Sequence, residues 1–167
     1  MDGSHFPARA VRLVDATLSD LDLIVPNMRS DEIEQFLAVS GMERFDPMAA
    51  AFLFATIGGP RWTIADARGM PLVTGGIEEL RPGAGRGWMA GPLKAWESHG
   101  WQITRICRRL FDKAINDGHY DRIEILALPT RTDACDWYKR GLGFECEGLR
   151  KRYLNGRDFV AYTKTRA

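Results

Sequence analysis

Residues 98–128 read SHGWQITRICRRLFDKAINDGHYDRIEILAL, a helix pattern followed directly by a strand pattern. Apolar residues step by three and four along the first part, which predicts an amphipathic helix over about Ser98–Asp117. Gly118 ends this helix. The almost continuous apolar run at 123–128 predicts a strand that is covered on both faces of its sheet. With a strand before the helix, this unit is a parallel crossover, which should be right-handed.

The segments on either side predict further strands and helices. Strand patterns lie at 10–16, 61–67, 70–80, 87–90, 144–154 and 158–164, and helix patterns lie at 17–26, 30–41, 46–58 and 132–141. Asn155-Gly156 is the favoured pair for a tight hairpin turn between the last two strands. This order predicts an α/β (α+β) domain with a mixed, mostly antiparallel twisted sheet and helices on both faces.

Local features refine three of these segments. In the second helix, Ser30 can cap the amino terminus, while Asp31 and Glu32 suit the positive end of the helix dipole. The third helix is apolar on all sides, which predicts that it is buried. Gly75-Gly76 interrupts a long strand and predicts a bulge or a close backbone approach.

Composition excludes several classes of protein. The 167 residues include 23 Lys and Arg against 22 Asp and Glu, so no strong field for nucleic acid or anionic lipid exists. Cys107, Cys135 and Cys146 are too far apart for a C-x-x-C pair, which argues against a zinc site or a disulfide framework. The most apolar stretch, Met48–Ile57, is too short to span a bilayer. We therefore expect a cytoplasmic protein with a loose arm at 1–9 and a single domain at 10–167.

Residues 137–145 read WYKRGLGFE and residues 97–102 read ESHGWQ, and both segments resemble motifs of the GNAT superfamily of N-acetyltransferases. Residues 137–145, WYKRGLGFE, are similar to the tyrosine-bearing helix that leads into Leu-Gly-Phe and the penultimate strand of that fold. Residues 97–102, ESHGWQ, stand where the family carries [Gln/Arg]-x-x-Gly-x-[Gly/Ala], the motif that holds the pyrophosphate of acetyl-CoA. Only Gly100 keeps this motif, because Glu97 and Gln102 replace its other positions.

The resemblance implies a V-shaped split between the fourth and fifth strands, where the Trp88 strand diverges from the Glu124 strand. It also implies an acetyl-CoA-dependent enzyme in which an amine attacks the thioester directly. The residues expected to contact this cofactor are Met89, Ala90, His99, Gly100, Trp101, Gln102, Ile103 and Arg131. Arg131 stands where many family members have an asparagine that contacts the pantetheine arm.

By its position in the short helix, Tyr138 would be the acid that protonates the departing thiolate. It precedes the glycine of Gly-Phe by one residue more than is usual, and a structural role in the core or at an interface is the alternative. Glu78, Glu79 and Glu124 are the candidate bases. Alternation places Glu78 and Glu79 on opposite faces, Glu124 could instead pair with an arginine of the long helix, and a water-mediated base is a further possibility.

A second likeness supports a different function. The stretch Val73–Ile77, the Trp-bearing strand and the ending around 155–159 resemble a divergent phage-encoded branch that includes internal virion proteins. This implies a virion-associated structural or assembly protein that keeps the fold without the chemistry and binds a virion or host protein. An enzyme would instead act on a small-molecule or protein amine. Exposed tryptophans make a homodimer a further expectation.

Overall fold

A computed structural model describes residues 10–166, and the predicted arm at 1–9 lies outside them. The strands are β1 Val11–Asp15, β2 Arg61–Asp66, β3 Pro71–Arg81, β4 Ala84–Ala90, β5 Arg122–Ala127, β6 Glu145–Leu154 and β7 Arg157–Thr165. The helices are α1 Leu18–Ile24, α2 Ser30–Ser40, α3 Pro47–Thr56, α4 Leu93–Asn116 and α5 Thr132–Asp136, with a 3-10 turn at Val25–Asn27 and a π-helical turn at Trp137–Gly141. The predicted order of elements is confirmed.

The seven strands form one sheet in the order β1-β2-β3-β4-β5-β7-β6. Neighbouring strands are antiparallel except β4 and β5, which are parallel on either side of the α4 crossover. Side chains alternate along β5: Ile123 and Ile125 pack in the core that contains α4, while Leu126 packs beside Ala38 of α2. Helices therefore cover both faces, as predicted.

The V-shaped split is present between β4 and β5. The two strands pair only at their first residues, from Ala84↔Arg122 to Arg86↔Glu124, although each continues beyond that point. Past the split, Gln35 of α2 hydrogen-bonds the open edge of β5. Its Nε2 donates to the Leu126 carbonyl at 3.0 Å, and its Oε1 accepts from the Leu128 amide at 2.8 Å. The side chain thus replaces a missing strand partner, which keeps the V open without leaving these groups unpaired.

The close backbone approach predicted at Gly75-Gly76 is confirmed and shapes the middle of the sheet. A Cβ atom on Gly76 would lie 2.6 Å from the Pro60 carbonyl oxygen and 2.8 Å from Nε1 of Trp88. Only glycine leaves room there for the Trp88 indole to lie across β3. This packing holds Trp88 against the α1–α3 face.

Two expectations about α2 and α3 are wrong. The N-cap of α2 is Arg29, without a side-chain hydrogen bond, and Ser30 is already the first helical residue. In α3, Ala50 and Ala51 are buried, but Met48 is 80% exposed and Phe52 is 64% exposed. Only one side of α3 faces the sheet, so composition alone overstated its burial. Within residues 10–166, no helix is long and apolar enough to cross a membrane.

A helical stretch that the sequence pattern did not predict precedes the long helix. α4 begins at Leu93, after the N-cap Pro92, and its stretch at 93–98 leads into the predicted helix. Its apolar periodicity becomes regular only from Ile103, which is why the pattern did not predict a helix over residues 93–97. The backbone leaves helical geometry at His99, with φ −134° and ψ 18°, so α4 is kinked there. Two helical stretches, 93–98 and 100–116, therefore meet at His99, and the expected pyrophosphate segment spans the start of the second.

Candidate active site

A cavity of about 450 Å³ runs through the split between β4 and β5. Phe36 of α2 lines it on one side of the sheet and Phe111 of α4 lines it on the other. Glu32, Arg131 and Tyr138 also line it, as do Glu78 and Arg86. A smaller cavity of about 200 Å³ shares Glu32, Met89, Arg131, Trp137 and Tyr138 with it. The larger cavity has the size of a small-molecule site.

Tyr138 lies in the π-helical turn that follows α5. The Leu142 amide donates to the Trp137 carbonyl at 3.0 Å, a bond that spans five residues rather than four. This wide turn accommodates the extra residue between the tyrosine and Gly-Phe that the sequence shows. Burial raises the pKa of Tyr138, although Arg131 acts in the opposite direction. The phenol therefore stays protonated at neutral pH and can donate its proton into the cavity.

Glu32 is a buried carboxyl group that the sequence analysis assigned only to the helix dipole. Its residue is 6% exposed, and its Oε2 accepts a hydrogen bond from the Gly91 amide at 3.3 Å. Burial raises its pKa to about 7, against the opposing effects of Arg131 and the Gly91 amide. A carboxyl group with such a pKa can accept a proton near neutral pH. The position could have been found, because Glu32 precedes Phe36 by four residues and shares its helix face.

Arg131 is held beside Tyr138 by an ion pair with α2. It is buried, and its Nε donates to Oδ2 of Asp31 at 2.9 Å. Arg29 binds the other oxygen of Asp31, also at 2.9 Å. Burial acts to raise the pKa of Asp31, but these two guanidinium groups outweigh it and the pKa is lowered. Asp31 therefore stays ionised and fixes Arg131 in the cavity wall.

The three candidate bases lie in different surroundings. Glu78 lines the cavity, whereas Glu79 is exposed on the next position of β3. Glu124 does not line the cavity: its Oε1 accepts from Arg86 at 2.7 Å and its Oε2 from Arg150 at 3.2 Å. The expected pairing with the long helix is wrong, because these arginines belong to β4 and β6. Both oxygens of Glu124 are engaged in the sheet, which argues against its role as a base.

The residues expected at the pyrophosphate lie at the kink of α4. A Cβ atom on Gly100 would meet no atom of the described residues within 4 Å, so the space that they leave beside it is open. The Nδ1 of His99 lies 2.7 Å from Oγ of Ser98, while its Nε2 is buried without a hydrogen-bond partner within residues 10–166. Glu97 is exposed, so its charge is screened by water. The open space beside Gly100 fits a phosphate group of CoA, whereas the buried Nε2 of His99 could reach one only after its side chain rotated.

The other predicted contacts are spread around this kink. Trp101 is exposed and stacks with the Arg105 guanidinium, whereas the Ile103 side chain is fully buried in the core. Gln102 follows Trp101 and is half-buried. Met89 lines both cavities, and Ala90 ends β4 as a buried residue. The cofactor roles of these residues stay predictions.

Similar solved structures are acetyltransferases. A GNAT-family acetyltransferase from Bacillus anthracis aligns over 95% of this chain and 96% of its own, with a TM-score of 0.72 and 10% identity. An N-acetyltransferase of the GCN5-related group from Kribbella flavida aligns over 93% and 98%, with a TM-score of 0.68 and 20% identity. A GNAT-superfamily phosphinothricin acetyltransferase from Sinorhizobium meliloti, in complex with AcCoA, aligns over 94% and 89%, with a TM-score of 0.64 and 18% identity.

At these identities the likeness shows the fold alone. The chain has the GNAT fold, so the resemblance seen in residues 137–145 is confirmed at that level. No protein-family model and no curated protein sequence matches the chain. The further likeness to a phage-encoded branch, and the partners that it implies, stay predictions.

Proposed function

We propose that this protein is an acetyl-CoA-dependent N-acetyltransferase that acetylates a small amine by direct attack. The observation that carries the proposal is that Glu32 and Tyr138 line the same cavity inside the split of a GNAT fold. One is a buried carboxyl group with a pKa of about 7, and the other is a phenol with a raised pKa. Two titratable groups in one cleft, with one suited to accept and the other to donate a proton, form an acid–base pair.

The bound cofactor supplies an acetyl thioester, whose C–S bond is exchanged for an amide C–N bond. Glu32 accepts the proton that the attacking amine loses, and Tyr138 donates its phenolic proton to the departing sulfur. Arg131, His99, Gly100 and the backbone of β4 at Met89 and Ala90 are the groups that would hold the cofactor. Trp101, Gln102 and Ile103 follow the kink and would contribute backbone amides there.

The acceptor is proposed to be small, because the cavity lies between α2, α3 and the sheet and has a volume of about 450 Å³. Glu78 and Glu124, expected from the sequence to compete for the role of base, are not assigned it. Glu124 is occupied by two arginines, and Glu32 is the more deeply buried of the two carboxyl groups that line the cavity. Glu97 and Gln102, which replace two positions of the expected pyrophosphate motif, are the feature that favours the virion alternative.

A thermal-shift titration with acetyl-CoA tests the proposal, with CoA and ATP as controls. A ligand that binds only the folded protein raises its Tm by mass action. We expect a saturable rise with acetyl-CoA and CoA and none with ATP, followed by acetyl transfer in an amine screen. Absence of any rise at millimolar acetyl-CoA would show that residues 97–102 exclude the cofactor, and the proposal would then be wrong.

A further inference from the structure

Two carboxyl groups that line the larger cavity lack an ion-pair partner. The lining guanidinium groups are both paired, Arg86 with Glu124 and Arg131 with Asp31. Glu32 forms no ion pair with a described residue, and Glu78 forms neither an ion pair nor a side-chain hydrogen bond within residues 10–166. Both carboxyl groups are therefore able to contact a ligand that enters the cavity, although the guanidinium groups of Arg131 and Arg29 also face Glu32. Glu32 is buried and Glu78 is half-buried, and an ammonium group of a ligand would form a charge-assisted hydrogen bond with either carboxylate.

The register of the sheet places these two acids at opposite ends of the cavity. Glu78 pairs with Arg86, and Thr74 pairs with Ala90, four residues further along β4. The next residue, Gly91, donates its amide to Glu32. Four residues of extended strand measure roughly 13 Å. A ligand that contacts both carboxyl groups must therefore be elongated.

The wall between the two acids is aromatic. The rings of Phe54 and Trp88 are stacked, with centroids 5.1 Å apart and planes at 24°. Phe36 continues this wall, with its ring 5.2 Å from that of Phe54. All three residues line the cavity. This surface favours an apolar segment of a ligand over one that needs many hydrogen bonds.

From this arrangement we infer that the acceptor is an elongated diamine with an apolar middle segment. Its reacting amine lies between Glu32 and Tyr138, its apolar segment packs on Phe54 and Trp88, and its second ammonium group binds Glu78. The assignment rests on the proposed acetyltransferase function, because it specifies the acceptor for that site. Glu78 is thus a residue that determines specificity and takes no part in proton transfer.

Calorimetric binding of diaminooctane and octylamine tests this inference without requiring turnover. The two probes share an eight-carbon chain and differ only in the second amine. We expect the wild-type protein to bind diaminooctane roughly tenfold to a hundredfold more tightly, the range expected for a hydrogen bond to a charged group. Glu78→Gln should bind both probes alike. Glu79→Gln, which removes the exposed neighbouring carboxylate, is the matched control and should keep the wild-type preference.

Three outcomes overturn the inference: equal binding of the two probes to the wild type, a preference that survives in Glu78→Gln, or no binding of either probe. Acetylation of a short peptide in preference to both probes would also overturn it, by assigning the acceptor to proteins. The thermal shift with acetyl-CoA is read independently. A protein that binds acetyl-CoA but shows no diamine preference keeps the proposed function and loses only this acceptor.

Discussion

Replacing Glu32 with glutamine should stabilise the protein at high pH relative to the wild type and change little at low pH. The pKa of Glu32 rises from its ordinary 4.5 to about 7 in the fold, mainly because the carboxyl group is buried. An acid with a higher pKa in the folded state binds its proton more tightly when folded. The wild type is therefore most stable below about pH 4.5, and this contribution is lost as the pH rises towards 7.

The size of the effect follows from the two pKa values. Each pH unit between them is worth about 1.4 kcal/mol, so ionising Glu32 inside the fold costs about 3 kcal/mol of unfolding free energy. Glutamine is isosteric, carries no charge and can still accept the hydrogen bond from the Gly91 amide. We expect Glu32→Gln to match the wild type at about pH 4 and to exceed it by up to about 3 kcal/mol at about pH 9.

Urea denaturation of both proteins at these two pH values measures the difference directly, because other titrating groups contribute equally to both. The groups that face Glu32 are the guanidiniums of Arg131 and Arg29 and the carboxylate of Asp31. A free-energy difference between the two proteins that is the same at both pH values would refute the reasoning. The variant should also lose about a hundredfold or more in kcat, since it cannot accept a proton. Retained turnover would remove Glu32 from its proposed role.

Four further substitutions test other parts of the structure. Tyr138→Phe should lower kcat by about a hundredfold while acetyl-CoA affinity stays unchanged; unchanged turnover would exclude Tyr138 as the acid. Gln35→Ala should reduce the free energy of unfolding by about 1–3 kcal/mol, because it unpairs two backbone groups at the open edge of β5. An unchanged free energy of unfolding in urea would contradict a stabilising role for these two hydrogen bonds. Glu124→Gln should lose about 1–3 kcal/mol, because it weakens the pairing of Arg86, without shifting the pH dependence of the rate. A shift in the pH dependence of the rate would indicate that Glu124 acts as the base. Gly76→Ala should cost about 1–3 kcal/mol, because its Cβ would crowd backbone and indole atoms, and a Tm equal to that of the wild type would argue against this contact.

Most of the fold could be predicted from short-range patterns. A capping box forms between Thr17 and Asp20 at the start of α1, and Asn155 and Gly156 both adopt the positive φ that a tight hairpin turn requires. The amphipathic pattern identified α4, and the apolar run at 123–128 identified the buried strand β5. Each of these features depends on residues within a few positions of one another, so the sequence carries the information locally.

The site was predicted only in part. Tyr138 and Glu78 do line one cavity, but Glu124 forms ion pairs with arginines from two other strands. That pairing depends on which strands become neighbours, and the pattern of any one strand does not contain it.

Sequence alone determined the order of the elements, the single mixed sheet and the tyrosine-bearing turn, because periodicity, caps and turn residues act within a few positions of the chain. Only the tertiary structure decided that Glu32 is buried beside Gly91, that Asp31 fixes Arg131 and that Gln35 holds the edge of β5. These contacts join α2 to residues about 60 to 100 positions away. A carboxyl group acquires its pKa from the burial and charges that such contacts create, which no local pattern specifies.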